Sequence, residues 1–257
     1  PMTRRDPILE AVEAGKSYPG DVLALDGASL AVGQGETVAL IGESGSGKTT
    51  LLRMFNRMVE PSRGAIRFCG ESIGEIEPVA LRRRIGYVPQ QGGLIPHWTV
   101  RRNVELVPRL LGTSETERRS KGAATLDLVG LDPDEVGQRY PNQLSGGQRQ
   151  RVALARALAA DPEVVLLDEP FGALDAITRL ELRGEFHRLQ AETSLTALLV
   201  THDLGEALEL ADRIAVMRQG RILQTASARE IAERPADGYV TELLSHVARP
   251  GQPEGAK

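Results

Sequence analysis

Gly42-Glu-Ser-Gly-Ser-Gly-Lys48-Thr49 constrains this chain more than any other stretch. It stands between an apolar run, Thr37–Ile41, and a helix-favouring run that opens at Lys48. A glycine-rich loop in that setting turns successive backbone N–H groups inward, where they can cradle phosphate oxygens. The following helix adds the positive end of its dipole. In the spacing G-x-x-x-x-G-K-[ST] the lysine neutralises phosphate charge and the next hydroxyl is a magnesium ligand. The alternative is an ordinary glycine turn, but at the chain's own residue frequencies only about 0.004 chance matches are expected. Only four of the 31 Lys and Arg residues are lysines, which makes an accidental Lys48 less plausible still. Gly42, Ser44, Gly45, Ser46, Gly47, Lys48, Thr49 and Thr50 are therefore the candidate ATP-binding residues, and Thr49 a candidate Mg²⁺ ligand.

The pattern around the loop alternates short β-rich runs with helical ones. Ile8–Ala14, Thr37–Ile41, Ala65–Phe68, Ile85–Val88, Val164–Leu167, Ala197–Thr201, Ile214–Met217 and Ile222–Gln224 read as strands. Lys48–Met58, Ser114–Val129, Arg149–Ala159 and Ala176–Ala191 read as helices, with a turn at Leu131–Asp134. Such alternation argues an α/β fold: a P-loop NTPase core with a mostly parallel sheet. The early strands lack intervening helices, which predicts a small antiparallel β-subdomain. Between residues 93 and 160 the β signal disappears, which predicts an inserted helical subdomain. One domain over residues 2–247 is expected, followed by a Pro- and Gly-rich tail, 248–257, expected to be disordered.

Val164-Val-Leu-Leu-Asp168-Glu169 is an apolar run ending in two carboxylates. Buried parallel strands read as uninterrupted apolar runs, and ligands bind at their carboxyl ends. Asp168 is a candidate Mg²⁺ ligand. Glu169, one residue on, is placed to polarise an attacking water as a general base. An Asp-Glu pair after a strand is common by itself; the phosphate loop upstream tips the reading to chemistry.

Leu144-Ser145-Gly146-Gly147-Gln148 precedes Arg149-Gln-Arg151 and an alanine-rich stretch. A capping serine and two glycines opening a helix make an anion-receiving end. A second phosphate-binding device in a chain with one phosphate loop resembles the ABC ATPase family, in which LSGGQ is the signature. The resemblance runs from about Ile8 to Leu244. It implies ATP and Mg²⁺ as ligands, with Ser145, Gly146, Gly147 and Gln148 on the nucleotide of a partner chain. It also implies adenine stacking by Tyr18, a Q-loop role for Gln90 beside Mg²⁺, a D-loop at Gly172-Ala-Leu-Asp175 with Asp175 near the nucleotide, and a γ-phosphate contact by His202. The usual first D-loop serine is Gly172 here, so a hydroxyl contact at that position is lacking.

Three readings stay open: the ATPase of a solute importer, that of an exporter or lipid-transport complex, and a soluble ABC protein acting on nucleic acid or ribosomes. The soluble kinds usually carry two ATPase units or a long coiled-coil insertion, and neither is seen. The segment Gln90-Gln-Gly-Gly-Leu-Ile-Pro-His97-Trp-Thr-Val is similar to the importer surface that receives the membrane subunit, with His97 and Trp98 as an exposed pair. Leu81–Gln91 and Asn103–Gly112 resemble the uptake branch for osmoprotectants such as glycine betaine, choline or carnitine. Many members of that branch add C-terminal CBS domains, and none is expected in the ten residues after 247. The resemblance implies a homodimer of ATPase subunits, integral membrane permeases, and an extracytoplasmic solute-binding protein reached through them. Its implied place is the cytoplasmic face of the membrane, as a peripheral subunit. Net charge −4 argues against nucleic acid as the main partner. No apolar run approaches the roughly 20 residues that cross a bilayer, so the chain is expected to be soluble by itself. The single cysteine, Cys69, is expected to be a small buried or half-buried apolar residue.

Overall fold

A computed structural model describes residues 7–247; residues 1–6 and the tail 248–257 lie outside them. The chain opens with two long strands, β1 (Pro7–Tyr18) and β2 (Val22–Gly33), and β3 (Thr37–Ile41) then leads through the glycine-rich loop into α1 (Lys48–Phe55). β4 (Arg63–Phe68), β5 (Glu71–Ser72), α2 (Pro78–Arg84) and β6 (Ile85–Val88) follow. The next stretch is helical: α3 (Val100–Val104), α4 (Leu106–Leu110), α5 (Glu115–Leu128), α6 (Pro133–Val136), a 3₁₀ turn at Pro141–Gln143, and α7 (Gly146–Leu158). β7 (Val164–Asp168), α8 (Ala176–Thr193), β8 (Ala197–Val200), α9 (Leu204–Leu210), β9 (Arg213–Arg218), β10 (Arg221–Ala226), α10 (Ala228–Glu233) and α11 (Gly238–Val247) complete it.

The strands form two sheets. One is antiparallel, in the order β2-β1-β4-β5. The other runs β10-β9-β3-β8-β7-β6; its strands are parallel except β10, which returns antiparallel on β9. The expected α/β core, antiparallel subdomain and helical insertion are all present.

Successive side chains of a strand point to opposite faces, and this decides what lies above and below the large sheet. Val164, Leu166, Leu198, Val200, Val38 and Leu40 face one core with Leu51, Leu52 and Phe55 of α1 and the antiparallel sheet. Val165, Leu167, Ala197 and Leu199 face a second core with Val152 and Leu154 of α7 and Leu182 and Phe186 of α8. Ala39, Ile41, Ile214 and Val216 share a third with α9, α10 and α11. The helix after the phosphate loop and the signature helix therefore pack on opposite faces of one sheet.

Several elements differ from the sequence reading. β2 has no counterpart among the strands read from the sequence, and an Asp-Gly pair, Asp26-Gly27, lies in its middle. Gly27 takes φ +72 within a strand whose pairing with β1 shifts register repeatedly, and Asp26 binds Arg63 and Arg221 across the sheets. The helix expected to reach Met58 stops at Phe55, since Arg57 adopts φ +54. Leu131–Asp134 is no free turn: the Asp132 carboxylate accepts from the N–H groups of Asp134 and Glu135 and caps α6. The short helices α2, α9, α10 and α11 carried too few turns for a periodic signal. Cys69 is exposed rather than buried; its Sγ lies 3.3 Å from Glu163 Oε2 and close to Arg84.

Candidate functional site

The phosphate loop joins the carboxyl end of β3 to the amino end of α1. Its Lys48 is 5% exposed. Nζ donates to Gly42 O at 2.7 Å and Glu43 O at 2.8 Å, which leaves one of the three ammonium donors for a ligand. Burial pushes the Lys48 amine below the ordinary lysine range, and the carboxylates of Glu169, Asp168 and Glu43 oppose that shift. Ser46 Oγ is buried without a hydrogen-bond partner, an acceptor and donor left for a bound group. Thr49 Oγ1 donates to Asp168 Oδ1 at 2.9 Å, joining the loop to the end of β7.

Asp168 is 2% exposed. Its second oxygen lies 3.5 Å from Arg53, one α1 turn past Thr49. Glu169 follows with φ +47, a backbone region uncommon for a side-chain-bearing residue and often found at functional sites. Gln90 Nε2, just after β6, donates to Glu169 Oε2 at 3.0 Å, and His202 Nδ1, just after β8, lies 3.4 Å from the same oxygen. Neighbouring parallel strands place their carboxyl ends side by side, so β6, β7 and β8 deliver Gln90, Glu169 and His202 to one spot. Gly172 lies against both: a Cβ there would stand 3.6 Å from Glu169 Oε2 and 3.7 Å from His202 Cε1. A serine Cβ would fit, so space does not account for the glycine.

The remaining sequence candidates lie elsewhere. Ser145 caps α7, accepting from Gln148 N while the Gln148 side chain accepts from Ser145 N, a reciprocal capping box. Gly147 is buried against the first turn of α8, where a Cβ would stand 2.2 Å from Thr178 Cγ2. Asp175 caps that turn through Thr178 N at 3.1 Å, and the Thr178 hydroxyl and backbone hold its carboxyl below the ordinary aspartate range. The signature and the D-loop are thus one packed unit on the α7 face. Tyr18, at the end of β1, is 38% exposed with the Lys16 ammonium 5.2 Å from its ring centre.

The tight Gly147–Thr178 contact gives a stability test. Gly147→Ala is expected to cost about 1–3 kcal/mol through overpacking. Thr178→Ser removes the offending methyl and keeps the hydroxyl beside Asp175, so the double variant should regain most of that loss in urea unfolding. A double variant as unstable as Gly147→Ala alone would refute the packing role of Gly147.

Sequence reading missed residues that act at a distance. Asn103, fully buried on α3, accepts from Ile95 N and donates to Ile95 O, Trp98 O and Thr99 O, fixing the 95–99 loop. Trp98, expected to be exposed beside His97, is half-buried with the Arg102 guanidinium 4.1 Å from its ring centre; His97 is exposed. Glu206, 3% exposed, accepts from Thr201 Oγ1 at 2.6 Å directly ahead of His202, and burial pushes its carboxyl upward. A polar residue inside a helical run carries no local sign of such a partner.

A glycine-rich loop at the end of a parallel strand, with a buried lysine and an acidic strand end two places along the same sheet, defines a P-loop nucleotide-binding cassette. The ABC transporter family model matches residues 25–172, and the chain belongs to that family. It is 46% identical over 237 residues to the choline transport ATP-binding protein OpuBA of Bacillus subtilis, covering 92% of this chain and 62% of that protein. It is 48% identical over 240 residues to the sulfate/thiosulfate import ATP-binding protein CysA of Mycobacterium tuberculosis, covering 93% and 67%. Among solved structures, the dimeric, post-hydrolysis ATP-binding cassette MJ0796 bound to ADP and Pi superposes with a TM-score of 0.77 at 32% identity, covering 85% of this chain and 98% of that one. The chain thus spans about three fifths of the length of the choline-transport relative.

Proposed function

We propose that this chain binds and hydrolyses ATP as the motor subunit of a membrane importer, working as one half of a head-to-tail dimer. The observation that carries this is the convergence of Lys48, Thr49, Asp168, Glu169, Gln90 and His202 at the carboxyl ends of β3, β6, β7 and β8. Lys48 and the loop N–H groups hold the β- and γ-phosphates. Glu169 takes a proton from the attacking water, and Gln90 and His202 orient its carboxylate. Tyr18 stacks on the base. Mg²⁺ suits the donors present: the Thr49 hydroxyl and the Asp168 carboxylate, 2.9 Å apart, would hold it, with the Gln90 amide joining them as the family resemblance implies. Among the described residues no group of three or more His, Cys, Asp or Glu side chains could hold a metal ion; nucleotide phosphates would complete the ligand set. Bound there, the ion neutralises phosphate charge.

The opposite-face placement of α1 and α7 supports sharing: Ser145, Gly146, Gly147, Gln148 and Asp175 serve the partner's nucleotide. Among the described residues no helix is long and apolar enough to cross a membrane. The import ATP-binding names of relatives support a place at the cytoplasmic face, acting through permease subunits that dock on the 90–100 loop braced by Asn103 and Arg102. Import is favoured over export by the names of the relatives.

The cargo is a quaternary-ammonium osmoprotectant delivered by an extracytoplasmic solute-binding protein. The resemblance of Leu81–Gln91 and Asn103–Gly112 supports this, and so does the choline-transport relative. Near-equal identity to a sulfate/thiosulfate relative means that overall identity does not choose between cations and oxyanions. Calorimetry on the partner binding protein decides. Choline, glycine betaine or carnitine is expected to bind, held by aromatic faces around the cation. Binding of sulfate alone would refute the cargo and leave the ATPase standing.

A further inference from the structure

The peptide group between Gly42 and Glu43 is gripped from both sides. Its carbonyl, Gly42 O, accepts from Lys48 Nζ at 2.7 Å. Its N–H, on Glu43, donates to the Tyr239 hydroxyl at 3.2 Å, across 196 residues of sequence. A trans peptide is a rigid plane whose C=O and N–H point in opposite directions. Tyr239 and Lys48 thus hold opposite edges of one plate, and turning the plate moves the carbonyl that aims the ammonium. Since two carbonyls take two of the Lys48 donors, their positions set where the third points.

Tyr239 is itself anchored. It is 9% exposed, on α11, which packs with Val240 and Ile231 against Ala39, Ile41, Ile214 and Val216 of β3 and β9. The Arg218 guanidinium lies 4.5 Å from its ring centre, and Arg218 Nε is 3.5 Å from Glu43 Oε1. One residue at the end of β9 therefore touches both the ring and the loop. Gly42 has φ +150, and a Cβ there would stand 2.1 Å from Met217 O. The start of the loop is thus pinned between the β9 backbone and α11.

We propose that Tyr239 is a positioning residue for the phosphate loop: it sets ATP affinity by fixing the Gly42–Glu43 peptide, and so the Lys48 ammonium, without touching the nucleotide. The proposal rests on the ATP-binding reading above. Tyr239→Phe in the full chain removes one hydroxyl and keeps the ring. Its Kd for Mg-ATP and its KM are expected to rise about fivefold, the usual size for one lost hydrogen bond, with kcat within about twofold of wild type. Arg218→Gln keeps the hydroxyl but frees the ring and should move KM in the same direction. Wild-type Kd and KM in both variants, even with a lowered melting temperature, would overturn the proposal, and so would a fall in kcat at constant KM. A wild-type chain that binds no ATP would instead remove the reading beneath it.

Discussion

Glu169→Gln is expected to lower phosphate release at least about 100-fold, the lower range for loss of a general base, while Kd for ATP stays within about threefold. The geometry explains the split. Glutamine has nearly the shape of glutamate, and its amide oxygen can still accept from Gln90 Nε2, now at 3.0 Å from the carboxylate. The amide is a far weaker proton acceptor, so the water is held but not activated. Glu169 also supports the charge on Lys48 against burial, which accounts for a small loss of affinity. Lys48→Ala is the contrasting variant: it removes the buried cation, and binding itself should fail. Equilibrium nucleotide binding and single-turnover phosphate release separate the two steps. Near-wild-type turnover by Glu169→Gln would sink the assignment of the base.

Mixing Lys48→Ala chains with Ser145→Arg chains should restore ATP-dependent dimer closure that neither variant shows alone. The sheet is the reason: α1 lies on one face and α7 on the other, so the simplest way for one nucleotide to meet both is through two chains. Each homodimer then has a defect in every site, whereas a mixed dimer has one site with both defects and one with none. Random pairing makes half of the dimers mixed, so roughly a quarter of the wild-type sites should be recovered in an equal mixture of closed two-fold dimers. Hydrolysis follows in proportion if a single intact site turns over. Ser145→Arg also removes a helix cap worth about 1 kcal/mol, so its melting temperature is measured alongside. Mixed dimers, confirmed by two-tag pull-down, that show no recovery would rule out sharing between chains.

Much of this was legible in the sequence because the chemistry is local. The phosphate loop, the acidic end of β7 and the signature are each contiguous, and each carries residue types that few other roles require. The uninterrupted apolar runs of β3, β7 and β8 announced buried parallel strands. Where an element relied on distant support the signal failed: β2 is broken by Asp26-Gly27, whose aspartate is stabilised by Arg63 and Arg221 from other strands. The short helices α9 and α11 hold their places by packing on β3 and β9 rather than by propensity.

The sequence by itself determined the kind of site, since a loop that cradles phosphate, a lysine, and a strand ending in carboxylates can be recognised from neighbours in the chain. Only the tertiary structure decided how those parts are aimed. Gln90 and His202 meet on one oxygen of Glu169 because β6, β7 and β8 lie side by side. Gly147 must be glycine because α8 runs against α7, and Tyr239 reaches Gly42–Glu43 because α11 packs under β3. Contacts across such separations depend on which faces of which layers meet, and side-chain alternation along each strand settles that only once the strands have taken their order in the sheet.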